Sequence, residues 1–262
     1  MSLKDPDDSC DSVLPEPFVH RTPDTLSLHF DFSATQSEMR FDAPDDLVLG
    51  YTRTMMGFLL FQPNPAKIAM IGLGGGSLPK FCYAKLPHAA ITVAEINAQV
   101  IAWRDEFRVP KDDGRFRVVC QDGADFVRAA TRPFDVLLVD GYGPVGPAPQ
   151  LCTQRFYDAC YRKLNPGGVM VVNLAFSESM AHERSIFRIR RSFADAVVVV
   201  DSEEPGNRIA FACKGAMRLP EWDPAARPED LRLHYAVNLS RARRCIQEEL
   251  APVLARQVFE SE

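Results

Sequence analysis

The sequence predicts an α/β protein built on a doubly wound, mainly parallel sheet, with a small β-hairpin region at the N-terminus. Three observations carry that expectation. Short apolar runs alternate with helix-forming segments from residue 67 to about residue 175, which is the rhythm of βαβ units. A glycine-rich turn, Gly72-Leu73-Gly74-Gly75-Gly76-Ser77, follows the first run and opens a helix. Glu95, Asp122 and Asp140 stand at the ends of consecutive runs, where open α/β sheets gather their ligands.

Residues 1–23 are rich in Asp, Ser and Pro and are expected to be disordered. Residues 24–45 form the small β region, because LSLHFDF and QSEMRF alternate as half-buried strands do between Thr25 and Phe41. Pro44, Asp45 and Asp46 are expected to cap a helix, LVLGYTRTMMGFLLF, that is apolar on most faces and therefore buried. Pro63-Asn64-Pro65 ends it. Parallel strands follow at 67–72, 90–95, 116–120, 134–140 and 167–174, with helices between them. RPFDVLLVD is a continuous apolar run, as expected of a central strand covered on both faces. Pro166-Gly167-Gly168 stops a helix ahead of the strand VMVVN. AVVVVDSEEPGNRIAFAC reads as two antiparallel strands around Glu204-Pro205-Gly206-Asn207. Residues 46–220 thus make one ligand-binding domain. Residues 221–262 make a C-terminal helical tail, whose face LHYAVNLSRA packs on the core or on a partner.

Composition bounds the function. The chain has 262 residues, 46% of them hydrophobic and 25% charged, enough for one large domain with a small appendage. No apolar segment approaches the ~18 residues a membrane span requires, and the acidic, proline-containing N-terminus lacks the apolar centre of a secretory signal. A cytoplasmic protein without membrane contact is expected. The net charge of −5 argues against a nucleic-acid partner. Seven cysteines and five histidines are scattered without a C-x-x-C pair or metal spacing, so no metal site is expected.

The carboxyl ends of the strands describe a nucleoside pocket. Gly72, Gly74, Gly75 and Gly76 let the backbone approach a ligand with no Cβ in the way. Glu95 falls where a carboxylate accepts from both ribose hydroxyls. Asp122 opens the turn Asp122-Gly123-Ala124, placed to accept from an adenine amino group. The spacing G-x-G-x-G followed by Ser77 misses the dinucleotide pattern, so phosphate binding is not implied. A helix N-cap is the competing explanation for each acid, since every one precedes a helix.

The run VDGYGPVGPAPQLCTQRFYDACYRKLNPGGVMVVNL resembles the spermidine synthase family of aminopropyltransferases. That family has an aspartate at a strand end, then P-x-G-P, a short loop and T-x-x-F-Y. Here these are Asp140, Pro144-Val145-Gly146-Pro147 and Thr153-Gln154-Arg155-Phe156-Tyr157. The glycine turn, Glu95 and Asp122-Gly123 occur in the family's order, and Tyr51 aligns with a tyrosine ahead of the first parallel strand. The resemblance spans about residues 45 to 215. It implies a Rossmann-like methyltransferase-type fold, usually dimeric or tetrameric, here expected as a homodimer. It also implies transfer of an aminopropyl group from decarboxylated S-adenosylmethionine to a small-molecule amine in polyamine biosynthesis.

Asp140 is then the candidate base or amine anchor, with Tyr142 and Tyr51 beside it. The sequence departs from the family at three points. Gly143 stands where the second aspartate of a D-x-x-D pair is found. Gly75 replaces the aspartate of G-G-G-D-G-G that faces the donor's amino group. Thr52 and Arg53 replace a His or Gln and a Glu after Tyr51. An arginine facing a diamine would repel it; otherwise Arg53 points to solvent or pairs with Asp45 or Asp46. Two further functions therefore stand beside aminopropyl transfer. One is methyl transfer from intact S-adenosylmethionine, with Arg53 as a source of charge for the donor's carboxylate. The other is binding of an adenosyl thioether without chemistry.

Overall fold

The computed structural model describes residues 16–31, 35–143, 146–175, 179–219 and 237–259. A three-stranded antiparallel sheet comes first, formed by β1 (Phe18–Arg21), β2 (Thr25–His29) and β3 (Ser37–Arg40) in that order. The expected hairpin is β2–β3, with Thr25 opposite Arg40. The expectation of disorder through residue 23 is corrected: Phe18 to Arg21 pair with His29 to Leu26. Cross-strand pairing supplies the order that the polar composition of this segment does not suggest. Residues 1–15 of the expected disordered segment lie outside the described residues.

Next comes α1 (Gly50–Met55), continued by a tighter helical turn over Met56–Leu60. Pro44, Asp45 and Asp46 do not cap it. The N-cap position is Leu49, with no side-chain bond, while Asp46 closes a turn on the Ala43 carbonyl. Burial of Thr52, Thr54, Met55 and Phe58 holds this segment in place.

The main sheet then alternates with helices. Its elements are β4 (Lys67–Ile71), α2 (Ser77–Lys85), β5 (Ala90–Glu95), α3 (Ala98–Ala102), β6 (Phe116–Cys120), α4 (Gly123–Ala129) and β7 (Phe134–Val139). A two-residue pairing of β8 (Tyr142–Gly143) with β9 (Gly146–Pro147) leads to α5 (Gln154–Lys163) and β10 (Leu164–Ala175). After α6 (Ser179–Ser192) come β11 (Val197–Asp201), β12 (Asn207–Cys213) and α7 (Leu239–Phe259). The seven strands lie in the order β11-β12-β10-β7-β4-β5-β6, with β12 antiparallel to both of its neighbours.

Alternation along the strands builds a core on each face. Ile68, Met70, Val136, Leu138, Val169 and Val171 face one core, while Ala69, Ile71, Leu137, Val139, Met170 and Val172 face the other. Helix α7 adds Leu239, Ala242, Ile246 and Leu250 to the first core, so its apolar face packs on this chain. The parts of the expected tail at 221–236 and 260–262 lie outside the described residues.

Register positions the site. Ile71 stands beside Val139 on one side and Ala94 on the other. Beyond the strands, Asp140 N–H bonds the Ile71 carbonyl, Gly72 N–H the Ala94 carbonyl and Gln121 N–H the Glu95 carbonyl, each at 2.9 Å. Asp140, the glycine turn and Glu95 are thereby laced side by side at one edge.

Candidate active site

Gly72, Gly74 and Gly76 have φ of 92°, 52° and 71°, conformations that cost a side-chain-bearing residue about 1–2 kcal/mol. Gly72 is constrained further, because a Cβ there would lie 2.2 Å from the Asp140 carbonyl oxygen. The turn therefore presses directly against the strand end that carries Asp140.

Glu95 ends β5 and is only 8% exposed. Its Oε2 accepts from Leu73 N–H and its Oε1 from Asn97 N–H, both at 2.8 Å. Burial raises its pKa, and these main-chain donors oppose the rise. One carboxylate thus ties the glycine turn to the start of α3 and still has lone pairs for a ligand hydroxyl.

Asp122 takes the helix-cap part of its expectation. Its Oδ1 accepts from Asp125 N–H at 2.9 Å as the N-cap of α4, and its Oδ2 accepts from Gln150 Nε2 at 2.8 Å. Gly123 is required by packing, since a Cβ would approach Ile71 Cγ2 at 2.4 Å. Asp122, Gln150, Thr153 and Phe156 line a cleft of about 420 Å³.

Asp140 is the centre of a hydrogen-bonded cluster. Tyr51 Oη donates to Oδ2 at 3.1 Å and Asn173 Nδ2 donates to Oδ1 at 2.8 Å. Burial raises the Asp140 pKa, against the two donors that favour the anion. Burial and the facing carboxylate push the Tyr51 phenol well above its ordinary value, so it is a neutral donor near pH 7. The Tyr142 hydroxyl donates to the Asn173 main-chain carbonyl at 2.7 Å. Asn173 also accepts from Asn207 Nδ2 at 2.8 Å. Sequence reasoning missed both asparagines and Gln150. Asn173 could have been found by the rule that selected the acids, since it lies near the carboxyl end of a predicted strand.

The departures acquire physical causes. A Cβ on Gly75 would lie 2.7 and 2.8 Å from the Phe107 ring and 2.8 Å from Ser37 Oγ. The missing acid is therefore a filled space. Ser37 Oγ reaches it from β3 and pairs with Ser77 Oγ at 3.1 Å. Arg53 pairs with Glu203 and Glu204 rather than with Asp45 or Asp46. Its Nε donates to Glu203 at 2.6 Å, and Nη1 donates to the Leu47 and Val48 carbonyls at 2.7 Å. It is thereby removed as a source of charge for a donor carboxylate. Thr153 caps α5 by accepting from Phe156 N–H, while Phe156 and Tyr157 are buried. Thr153 and Phe156 thereby also set the wall of the cleft beside Asp122. Pro144 and Val145 lie outside the described residues.

Comparison with known proteins agrees with this geometry. The spermine/spermidine synthase domain family matches residues 48–203. The polyamine aminopropyltransferase of Chromobacterium violaceum is 36% identical over 83% of this chain and 84% of its own length. A probable spermidine synthase from Corynebacterium glutamicum shares the fold at a TM-score of 0.67, with 16% identity over 84% of this chain and 82% of the other. Human methyltransferase-like protein 13, solved in complex with SAH, superposes at 0.59 with 25% identity over 75% of this chain and 93% of the other. With 156 of its 262 residues under the family match and a relative of that activity 36% identical over 83% of the chain, the chain belongs to the spermine/spermidine synthase family.

Proposed function

We propose that this protein is an aminopropyltransferase of polyamine biosynthesis that uses decarboxylated S-adenosylmethionine and a small-molecule amine. The observation that carries the reading is Asp140, held between Tyr51 and Asn173 beside the glycine turn, in a chain 36% identical to a polyamine aminopropyltransferase. Glu95 holds the ribose, Asp122 with Gly123 the adenine, and Gly72, Gly74, Gly75 and Gly76 pass the donor's tail. The nitrogen lone pair of the acceptor forms a bond to the methylene beside the sulfonium as the carbon–sulfur bond breaks. Sulfur keeps that bond's electron pair, and the ammonium proton goes to Asp140. A carboxylate whose pKa is raised by burial is a stronger base than a solvated one. Tyr51 and Tyr142 orient the acceptor end of the cleft. The protein acts as a cytoplasmic homodimer in this reading, which sedimentation or size exclusion tests.

Methyl transfer is the second reading, favoured by one observation. The fold is shared with a human methyltransferase-like protein solved in complex with SAH, at a TM-score of 0.59 and 25% identity. Calorimetry with decarboxylated and intact S-adenosylmethionine, followed by mass spectrometry of products from an amine panel, separates the two. Preference for the decarboxylated donor with release of methylthioadenosine supports aminopropyl transfer. Preference for the intact donor with release of S-adenosylhomocysteine refutes it.

A further inference from the structure

Asn207 begins β12, and its side chain reaches Asp140 only through a second amide. Its Nδ2 donates to Asn173 Oδ1 at 2.8 Å, and Asn173 Nδ2 donates to Asp140 Oδ1 at 2.8 Å. Asn173 is 5% exposed, so water offers it little alternative. An amide has one accepting end and one donating end. With Asn207 donating to its oxygen, Asn173 must present its NH₂ to Asp140. The reversed amide would set an oxygen against the carboxylate and an NH₂ against the NH₂ of Asn207. We propose that Asn207 is a positioning residue for Asp140, holding Asn173 in the one orientation that donates to the carboxylate and so favouring its ionised, base-competent form. The role rests on the reading of Asp140 as the base of the transfer.

A hydrogen bond to the charged form of an acid favours that form. Protonating Asp140 makes one of its oxygens a donor, which removes the objection to a reversed Asn173 amide at the carboxyl end and leaves the Asn207 contact as the one that opposes reversal. Proton binding and amide orientation are therefore linked. Among the described residues, the titratable groups around Asp140 are the Tyr51 phenol from α1 and the Tyr142 phenol on its own loop. Arg53, two positions beyond Tyr51, is held by Glu203, and His182 of α6 lines a small cavity with Tyr142 and Asn173.

The test is a carbon-13 carboxyl titration of aspartate-labelled protein, with the Asp140 signal identified by its loss in Asp140→Asn. Asn207→Ala is expected to move the Asp140 midpoint upward by about half a pH unit or more, the equivalent of one neutral hydrogen bond. Asn207→Gln keeps an amide donor and is expected to stay near the wild type. The same comparison in a His182→Gln background removes the histidine's own titration. A midpoint unchanged in Asn207→Ala, or raised equally in Asn207→Gln, overturns the proposal. The titration needs no turnover, so an absence of aminopropyl transfer would refute the function and leave this measurement standing.

Discussion

Lys80 supplies a stability prediction with a definite sign. It lies on α2 at 1% exposure, and its Nζ donates to the Phe107 carbonyl at 2.8 Å. Burial lowers its pKa from 10.5 to about 8, with Asp45 opposing and Arg108 adding to the effect. That displacement corresponds to about 3 kcal/mol between the two charge states. The folded protein binds this proton more weakly than the unfolded chain does. Stability therefore rises with pH between about 8 and 10.5, and below that window the full cost of the buried charge applies. Lys80→Met removes the charge at similar volume and leaves the Phe107 carbonyl without its donor, a loss of about 1–3 kcal/mol. At pH 7 the two effects nearly cancel. The decisive quantity is the pH dependence. From pH 7 to 9.5 the wild type should gain about 2 kcal/mol relative to Lys80→Met. Urea unfolding followed by tryptophan fluorescence reads this, since Trp103 packs against the same core. Parallel pH profiles for the two proteins would refute the reasoning, because they would mean that Lys80 titrates as a solvated lysine. The consequence reaches the site, because Phe107 is the ring that fills the space beside Gly75.

Three further outcomes are expected. Asp140→Asn should lower turnover about 10²- to 10⁴-fold while leaving binding of methylthioadenosine within a few-fold; equal losses in both would make Asp140 a structural residue. Glu95→Gln keeps one acceptor for the Leu73 or Asn97 N–H and should weaken methylthioadenosine about tenfold or more in a calorimetric titration, and unchanged affinity would remove Glu95 from the ribose. Gly75→Asp should lower the melting temperature, because its Cβ would sit 2.7 Å from the Phe107 ring, and adding Phe107→Ala should recover part of the loss. A stable Gly75→Asp single variant would show that the space is not filled.

The five parallel strands were legible because burial on both faces leaves continuous apolar runs, and the strand ends follow from where those runs stop. The late antiparallel pair was legible from its Pro-Gly-Asn turn, and Val197 does stand opposite Ala212. Strand β1 was not legible: FVHR is exposed on much of its surface, and its order comes from pairing with β2. The cap of α1 was misread because Asp45 and Asp46 have strong local capping propensity, while the helix start is set by burial of Thr52 and Thr54.

At the site, local sequence signals suffice to put Gly72 to Gly76, Glu95, Asp122 and Asp140 at the carboxyl edge of the sheet. Periodicity and turn chemistry are local, and they suffice to place a residue at the end of a strand. What those residues touch was decided only by the tertiary structure. Ser37 and Phe107 reach Gly75, Asn207 reaches Asp140 through Asn173, and Glu203 takes Arg53, each across a large separation in sequence. Such contacts depend on strand order and on the docking of the N-terminal sheet. Neither leaves a periodic trace in the chain, because a hydrogen bond between distant segments constrains geometry without constraining composition nearby.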